Sequence, residues 1–223
     1  KIRNNILIFV RTNSIKMSKR NLAILTILFT IILDQVIKIY IKTNFFLGEE
    51  VLVFDWFRIH FVENNGMAMG FEFGGKAGKL FLTVFRLVAV TAIMYWLVGT
   101  IKTKVHNAVI IAISLIFSGA VGNIIDSIFY GVIFNHPKHS VAKLFPETTQ
   151  GEFFYGKVVD MFYFPIWEGI LPDWIPFVGG EMYTFFQYIF NPADSYITIG
   201  VVLLFIFSKQ AFPKEETKEV ETT

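Results

Sequence analysis

Four long apolar runs divide this chain of 223 residues. They cover residues 22–41, 80–101, 108–128 and 195–212, and each reaches or approaches the roughly 20 residues that a membrane-spanning helix needs. The pattern therefore predicts an all-α polytopic membrane protein with four transmembrane helices.

The two longer segments between these runs have different patterns. Within residues 42–79, the stretch EVLVFDWFRIHFVEN alternates apolar and polar side chains, which is typical of β-strands. We predict a small extracytoplasmic β-sheet here, between helices one and two. Residues 129–194 are rich in Phe, Tyr, Trp, Pro and Gly, and Trp167 and Trp174 suit a membrane interface.

Composition supports the membrane assignment and removes several kinds of chemistry. The chain is 54% hydrophobic and 17% charged, whereas soluble proteins are about 25% charged. It has no cysteine, which excludes disulfides, thiolate nucleophiles and cysteine-ligated metals. His136 and His139 are close in sequence, but no acidic residue or further histidine lies near them, so we expect no metal site.

Basic residues predict the orientation, because Lys and Arg concentrate at the cytoplasmic ends of membrane helices. With four spans, three basic groups fall on one side: Lys16, Lys19 and Arg20; Lys102 and Lys104; Lys209, Lys214 and Lys218. Both termini and the loop 102–107 are expected in the cytoplasm. The expected division is a cytoplasmic extension 1–20 without a cleavable signal, a membrane domain 21–212 and a disordered tail 213–223.

Several polar residues interrupt the apolar runs. Asp34 and Lys38 share one face of helix one, and Asn123 and Asp126 share one face of helix three. Two interpretations stay open: local structural bonds, with Lys38 reaching the membrane interface, or a polar site inside the bundle. Arg86, expected one turn inside helix two, either reaches the interface or neutralises an acid.

Two further acids stand alone among apolar residues. Asp194 begins helix four, where an acid is also a good N-cap, and Asp160 is expected in the preceding loop at the same depth. Two nearby carboxylates in a partly dry site share one proton, which is how aspartic proteases divide acid and base roles. A tight turn is expected at residues 64–70.

Five blocks of sequence resemble the lipoprotein signal peptidases, or type II signal peptidases. They are DQVIK (34–38), NNGMAMG (64–70), GAVGNIIDS (119–127), VVDM (158–161) and FNPADSYI (190–197), in the family's order over about residues 20–212. The resemblance implies an aspartic endopeptidase of the inner membrane. It would remove the signal peptide from diacylglyceryl-modified prolipoproteins by cutting just before the lipidated cysteine.

The resemblance also implies roles for individual residues. Asp160 and Asp194 match the catalytic pair; the matched support and substrate-binding residues are Asp34, Lys38, Asn64, Gly66, Asn123, Asp126, Asn191 and Ala193. No metal or organic cofactor is expected. The expected partners are prolipoprotein substrates and membrane lipid, not nucleic acid, and the chain is expected to be a monomer.

The sequence departs from the family at several positions. Ser127 stands where arginine is usual, Met69 where an aromatic residue is usual, and Met161 where phenylalanine is usual. The interval between Asp160 and Asp194 is long, and its extra material, residues 165–187, is expected to cover the outer membrane face.

Two other functions stay open at this point. A small transporter or channel would use Asp34, Lys38, Arg86 and Asp126 as a relay. However, the polar residues cluster at one end of the predicted helices, whereas a relay needs polar steps across the membrane. A non-catalytic subunit that binds lipoproteins is the second alternative, although it gives Asp160 no reason to be a carboxylate.

Overall fold

The computed structural model describes residues 17–66, 75–135, 137, 140–147 and 151–212. The predictions made for residues 1–16, most of the turn 64–70, His136 and His139, and the tail 213–223 lie outside the described residues.

Within the described residues, three helices are long and apolar enough to cross a membrane, which confirms an integral membrane protein. They are α1 (Lys19–Asn44), α2 (Gly75–Ile101) and α3 (Asn107–Ile133). The fourth predicted run forms α4 (Pro192–Ile206), which is shorter and is followed by the single turn α5 (Ser208–Ala211). A fourth membrane span therefore stays a prediction.

Helix α3 lies at the centre of the bundle, because it packs against α1, α2 and α4. It buries most of its residues, whereas α1 and α2 leave large apolar side chains such as Phe29 and Phe81 exposed. Exposed apolar faces on long helices are what a lipid environment requires. Close contact between α1 and α3 depends on Gly122, where an added Cβ would lie 2.5 Å from Asp34 Oδ2.

A four-stranded antiparallel sheet lies beyond one end of the bundle. Its strands are β1 (Glu50–Phe54), β2 (Phe57–Asn64), β3 (Val158–Tyr163) and β6 (Ile189–Phe190), in the order β1-β2-β3-β6. The prediction that the sheet belongs to the segment between the first two helices is therefore incomplete, since β3 and β6 come from residues 129–194. The first four residues of β3 are all buried, so the strand lacks the alternation by which β2 is recognised.

A separate hairpin occupies the extra material before α4. Strands β4 (Trp167–Ile170) and β5 (Met182–Phe185) pair with each other and leave most of their side chains exposed. Arg58 of β2 attaches the hairpin to the sheet, because its Nη2 donates to Glu168 over 2.9 Å.

Two apolar clusters lie at opposite ends of the helices, with the polar residues between them. The first contains Ala23, Leu97, Val109, Ile110 and Ile113, and the second contains Ile41, Phe61, Tyr130, Phe134, Ala142, Val159 and Met161. At the first end, Lys19 Nζ donates to the Thr103 carbonyl over 2.6 Å, and His106 stacks on Phe207. The start of α1, the loop between α2 and α3, and the end of α4 therefore lie together.

Candidate active site

Asp160 lies on strand β3, so the prediction that it occupies a loop is wrong. In the register of β2 and β3, Asn64 faces Val158, which makes Asn64 and Asp160 diagonal neighbours on one face of the sheet. The Asn64 side-chain amide donates to Asp160 Oδ2. Asp160 is only 3% exposed, so this carboxyl is held inside the protein.

Asp194 lies in the first turn of α4. The sequence had allowed Asp194 to be the N-cap of this helix, but the structure shows that it is not. The N-cap is Asn191, whose side-chain oxygen accepts from the Asp194 backbone N–H over 3.0 Å. In return, Asp194 Oδ2 accepts from the Asn191 backbone N–H over 3.3 Å, which completes a capping box. The capping box fixes the Asp194 carboxyl at the helix end that favours negative charge.

Asn191 brings the two acids into one network. Its Nδ2 donates to Asp160 Oδ1 over 2.6 Å, while its oxygen holds the backbone of Asp194. Asn123 of α3 adds a second link, because its Nδ2 donates to Asp194 Oδ1 over 2.9 Å and its oxygen accepts from Asn191 over 3.1 Å. Four residues from three separate parts of the sequence thus meet in one network.

The environment of Asp160 favours its protonated form. Burial raises the pKa of Asp160 to about 7, and the nearby charge of Asp194 contributes to this rise. Hydrogen bonds from Asn191 and Asn64 and the charge of Lys38 act in the opposite direction. A carboxyl group with a pKa near neutrality can donate a proton at physiological pH.

Lys38 lies at the centre of a polar layer between α1 and α3. The layer is formed by Asp34, Gln35, Lys38, Asn123 and Asp126. Its ammonium is 3.1 Å from Asp34 Oδ2 and 2.8 Å from Asp126 Oδ2, and it donates to Asn123 Oδ1 over 2.8 Å. The Lys38 side chain is fully buried, so the interpretation in which it reaches the membrane interface is wrong. Lys38 instead pairs with carboxylates from two helices.

The same layer fastens the bundle to the sheet and to α4. Asp34 Oδ1 accepts from the Ala193 backbone N–H over 3.0 Å, which joins α1 to the start of α4. Asp126 Oδ2 accepts from the Val159 backbone N–H over 3.4 Å, which joins α3 to the strand that carries Asp160. Asp34, Asp126 and Ala193 therefore support the two acids indirectly.

Two further polar residues, Gln35 and Lys79, were not among the predicted site residues. Gln35 donates to Asp34 and Asp126 over 3.0 Å each, and its oxygen accepts from the hydroxyl of Tyr130 over 3.1 Å. Lys79, which the sequence pattern did not single out, donates to Asn65 Oδ1 over 3.0 Å and to the Tyr155 carbonyl over 2.8 Å. Its position directly before the apolar run 80–101 is the signal that could have found it.

Three other predictions can be placed. Arg86 lies about three turns inside α2 rather than one, and its Nη2 donates to the Gly66 carbonyl. Ser127 is buried, and its hydroxyl donates to the Asn123 carbonyl over 2.9 Å. Met161 is fully buried in the apolar cluster beneath the sheet.

The carboxylates of Asp34 and Asp126 bind the Lys38 ammonium and the Gln35 side-chain amide. Among the described residues, no group of three or more His, Asp or Glu side chains is placed to hold a metal ion. The space between Asp34 and Asp126 contains the Lys38 ammonium.

Comparisons with known proteins agree with this geometry. Residues 26–209 match the family model Peptidase_A8, signal peptidase II. A lipoprotein signal peptidase of Porphyromonas gingivalis is 46% identical over 209 residues, covering 88% of this chain and 91% of the relative. One of Amoebophilus asiaticus is 34% identical over 200 residues, covering 88% and 80%.

The fold has a counterpart among solved structures. A bacterial membrane enzyme determined by the in meso method at 2.3 Å resolution superposes with a TM-score of 0.54 at 28% identity. The superposition covers 89% of this chain and 94% of that enzyme.

Long apolar helices that enclose carboxylates at one end, together with these comparisons, define a membrane-embedded peptidase of the aspartic type. The chain belongs to the signal peptidase II family. The resemblance found in the sequence is thereby confirmed, and a peptidase is favoured over the transporter and the non-catalytic subunit.

Proposed function

We propose that this protein removes the signal peptide from diacylglyceryl-modified prolipoproteins by cutting just before the lipidated cysteine, with Asp160 and Asp194 as its catalytic pair. The observation that carries this proposal is the position of Asn191, which holds the Asp160 carboxyl and the Asp194 backbone with one side chain. Two carboxyl groups fixed in this way are able to act on one water molecule and one peptide bond.

Each acid has a distinct role in the proposed reaction. Asp160 starts protonated, because its pKa is raised to about 7 by burial and by Asp194. Asp194 is assigned the role of the base, because the start of α4 and the amides of Asn191 and Asn123 favour negative charge on its carboxyl group. This division matches the requirement for one general base and one general acid.

The two roles give a balanced hydrolysis. Asp194 takes one proton from a water molecule, whose oxygen attacks the carbonyl carbon of the scissile bond. Asp160 donates its proton to the carbonyl oxygen, which stabilises the tetrahedral intermediate. When the carbon–nitrogen bond breaks, Asp194 gives its proton to the leaving amine, and Asp160 recovers its own from the new carboxyl group.

The proposed location follows from the distribution of charge. The basic residues Lys19 and Lys102 and the end of α4 lie at one end of the bundle, and the acids lie toward the other. With α4 and α5 as a fourth span, both termini are cytoplasmic and the acids lie near the outer face of the inner membrane.

The proposed path of the substrate is lateral. The signal peptide lies in the lipid against the exposed apolar faces of the bundle, and its cleavage segment passes under the sheet and the turn that begins at Asn64. The exposed hairpin β4–β5, with Trp167 and Tyr183, rests on the outer surface of the membrane. The protein acts as a monomer in this arrangement.

Substrate recognition is tested with two preproteins that differ only in lipidation. The purified protein in detergent is incubated with a lipidated preprotein and with the same preprotein without its diacylglyceryl group, and the products are mapped by mass spectrometry. We expect one cut, directly before the modified cysteine, in the lipidated form alone. Equal cleavage of both forms, or a cut elsewhere, would contradict the proposed substrate.

The transporter alternative is tested in the same preparation. Proteoliposomes containing the protein are assayed for proton and ion flux beside the cleavage reaction. We expect cleavage without flux above that of protein-free vesicles.

A further inference from the structure

A turn after strand β2 determines how Asn64 faces Asp160. The Asn64 side-chain NH2 donates to Asp160 Oδ2, and its oxygen accepts from the Gly66 backbone N–H over 2.5 Å. An asparagine amide has one donor end and one acceptor end, so these two bonds fix its orientation. The amide that reaches Asp160 therefore depends on the position of Gly66.

Arg86 of α2 holds Gly66 in that position. Its Nη2 donates to the Gly66 carbonyl. Gly66 has a φ of +84°, and an added Cβ would lie 2.5 Å from Arg86 Nη1. A side chain at this position would be strained and would displace the guanidinium, so the glycine allows the arginine to pack against the backbone.

Arg86 also brings a positive charge to the acids. Its guanidinium is half-buried, and the charges of Asp194, Asp126 and Asp160 act on it. These three carboxyl groups come from three different elements: Asp126 from α3, Asp160 from β3 and Asp194 from α4. Because Lys38 makes its direct ion pairs with Asp34 and Asp126, Arg86 supplies a second cation on the side of the catalytic pair.

We propose that Arg86 is a positioning residue for the peptidase reaction: it anchors Gly66 so that Asn64 stays on Asp160, and it keeps a positive charge beside the acid pair. This inference rests on the proposed catalytic role of that pair. It assigns to Arg86 a function in place of the two simpler interpretations, an arginine that reaches the interface or one that neutralises a single acid.

Three variants separate the two contributions of Arg86. Arg86→Gln keeps a hydrogen-bond donor but removes the charge. Arg86→Lys keeps the charge but removes the planar guanidinium group with its fixed N–H donors. Arg58→Gln is the matched control, since Arg58 pairs with Glu50 and Glu168 in the sheet and hairpin. Each is assayed for kcat and KM on a lipidated preprotein across a series of pH values.

Arg86→Gln should lower kcat by about 10- to 100-fold, because Asn64 is no longer held against the Asp160 carboxyl group. Loss of the cation should also move its pH profile to higher pH by at least about half a unit. Arg86→Lys should lower kcat but keep the wild-type pH profile. Arg58→Gln should stay within about twofold of the wild type.

Hydrogen exchange measured by mass spectrometry gives a readout that does not depend on activity. Peptides that contain Asn64 and Gly66 should exchange faster in Arg86→Gln and in Arg86→Lys than in the wild type, and Arg58→Gln should leave their exchange unchanged. If Arg86→Gln does not fold, Arg86→Lys alone tests whether Arg86 anchors Gly66. For Arg86→Lys the proposal predicts faster exchange of these peptides and a lower kcat, with the pH profile of the wild type.

The outcomes distinguish this inference from the proposed function. If the wild type does not cut the lipidated preprotein, the proposed function fails, and the exchange measurement still tests whether Arg86 anchors Gly66. If the wild type cuts it, the inference is overturned when Arg86→Gln keeps kcat and its pH profile. It is also overturned when kcat falls without any change in exchange or pH profile, because neither the anchoring of Gly66 nor the charge of Arg86 would then explain the loss.

Discussion

The Asn191 side chain donates to the Asp160 carboxyl over 2.6 Å. The same side chain caps helix α4 through the Asp194 backbone N–H, so the start of that helix and strand β3 are fixed by one residue. A short strand pairing supports this arrangement, because Phe190 of β6 pairs with Phe162 of β3 directly before Asn191. Any change at Asn191 therefore alters the position of both acids together.

The first prediction concerns replacement of Asn191 by alanine. Loss of the capping interaction should lower the free energy of unfolding by about 1 kcal/mol. Misplacement of the acids should lower kcat by about 100-fold, a much larger effect than the stability change explains. Ser18→Ala is the control, since it removes the side-chain cap of α1 without touching the acids. Equal loss of activity in both variants would show that Asn191 acts only as a cap.

The second prediction is the pH dependence of cleavage. Asp160 must be protonated to act as the acid, and its pKa is raised to about 7, so kcat should fall as the pH rises through about 7. The measured value belongs to the coupled pair rather than to one residue. In Asn191→Ala, a hydrogen bond that lowers the pKa of Asp160 is absent, so the falling limb should move to higher pH. A wild-type kcat that stays constant to about pH 9 would contradict this assignment.

The third prediction concerns the buried cation. Replacing Lys38 with methionine leaves Asp34 and Asp126 buried without their shared partner, which should lower the free energy of unfolding by about 3–5 kcal/mol. Thermal unfolding of the purified protein in detergent measures this loss as a lower Tm. Lys102→Met is the control, because Lys102 is exposed in the loop between α2 and α3. Similar Tm values for the two variants would refute the role given to Lys38.

The fourth prediction tests the contact between α1 and α3. An alanine at position 122 would place its Cβ against the Asp34 carboxyl, so Gly122→Ala should lower stability by about 1–3 kcal/mol and reduce cleavage. Gly99→Ala is the matched control on α2, where no atom lies within 4 Å of the added Cβ. The control should be neutral or stabilising by up to about 1 kcal/mol, because alanine favours the helix. Tm and cleavage rate are compared for both.

The sequence predicts the three long helices well, because an apolar run of about 20 residues has few alternatives to a membrane helix. It also singles out Asp34, Lys38 and Asp126, because charged groups in such runs are unusual, but it leaves open whether they form one site. Their mutual contacts follow from the spacing on each helix and from the central place of α3.

Other parts of the site depend on packing that a linear pattern does not express. Strand β3 is buried on both faces around Asp160, so its residues carry no alternation and were predicted as a loop. The link between Arg86 and Gly66 joins residues 20 positions apart through a backbone carbonyl, which has no signature in side-chain types. The capping role of Asn191 has a local signature, since Asn191 precedes Pro192 and Asp194 follows three residues later.

The catalytic role of the two acids is tested most directly by isosteric substitution. Asp160→Asn and Asp194→Asn are each purified in detergent and checked for a wild-type Tm, and cleavage of a lipidated preprotein is then followed by mass spectrometry. Ser18→Ala is carried through the same purification as a reference for activity. We predict that each asparagine variant lowers kcat at least about 10³-fold, because neither acid can replace the other. A folded variant of either acid that cleaves the preprotein at near the wild-type rate would contradict the account.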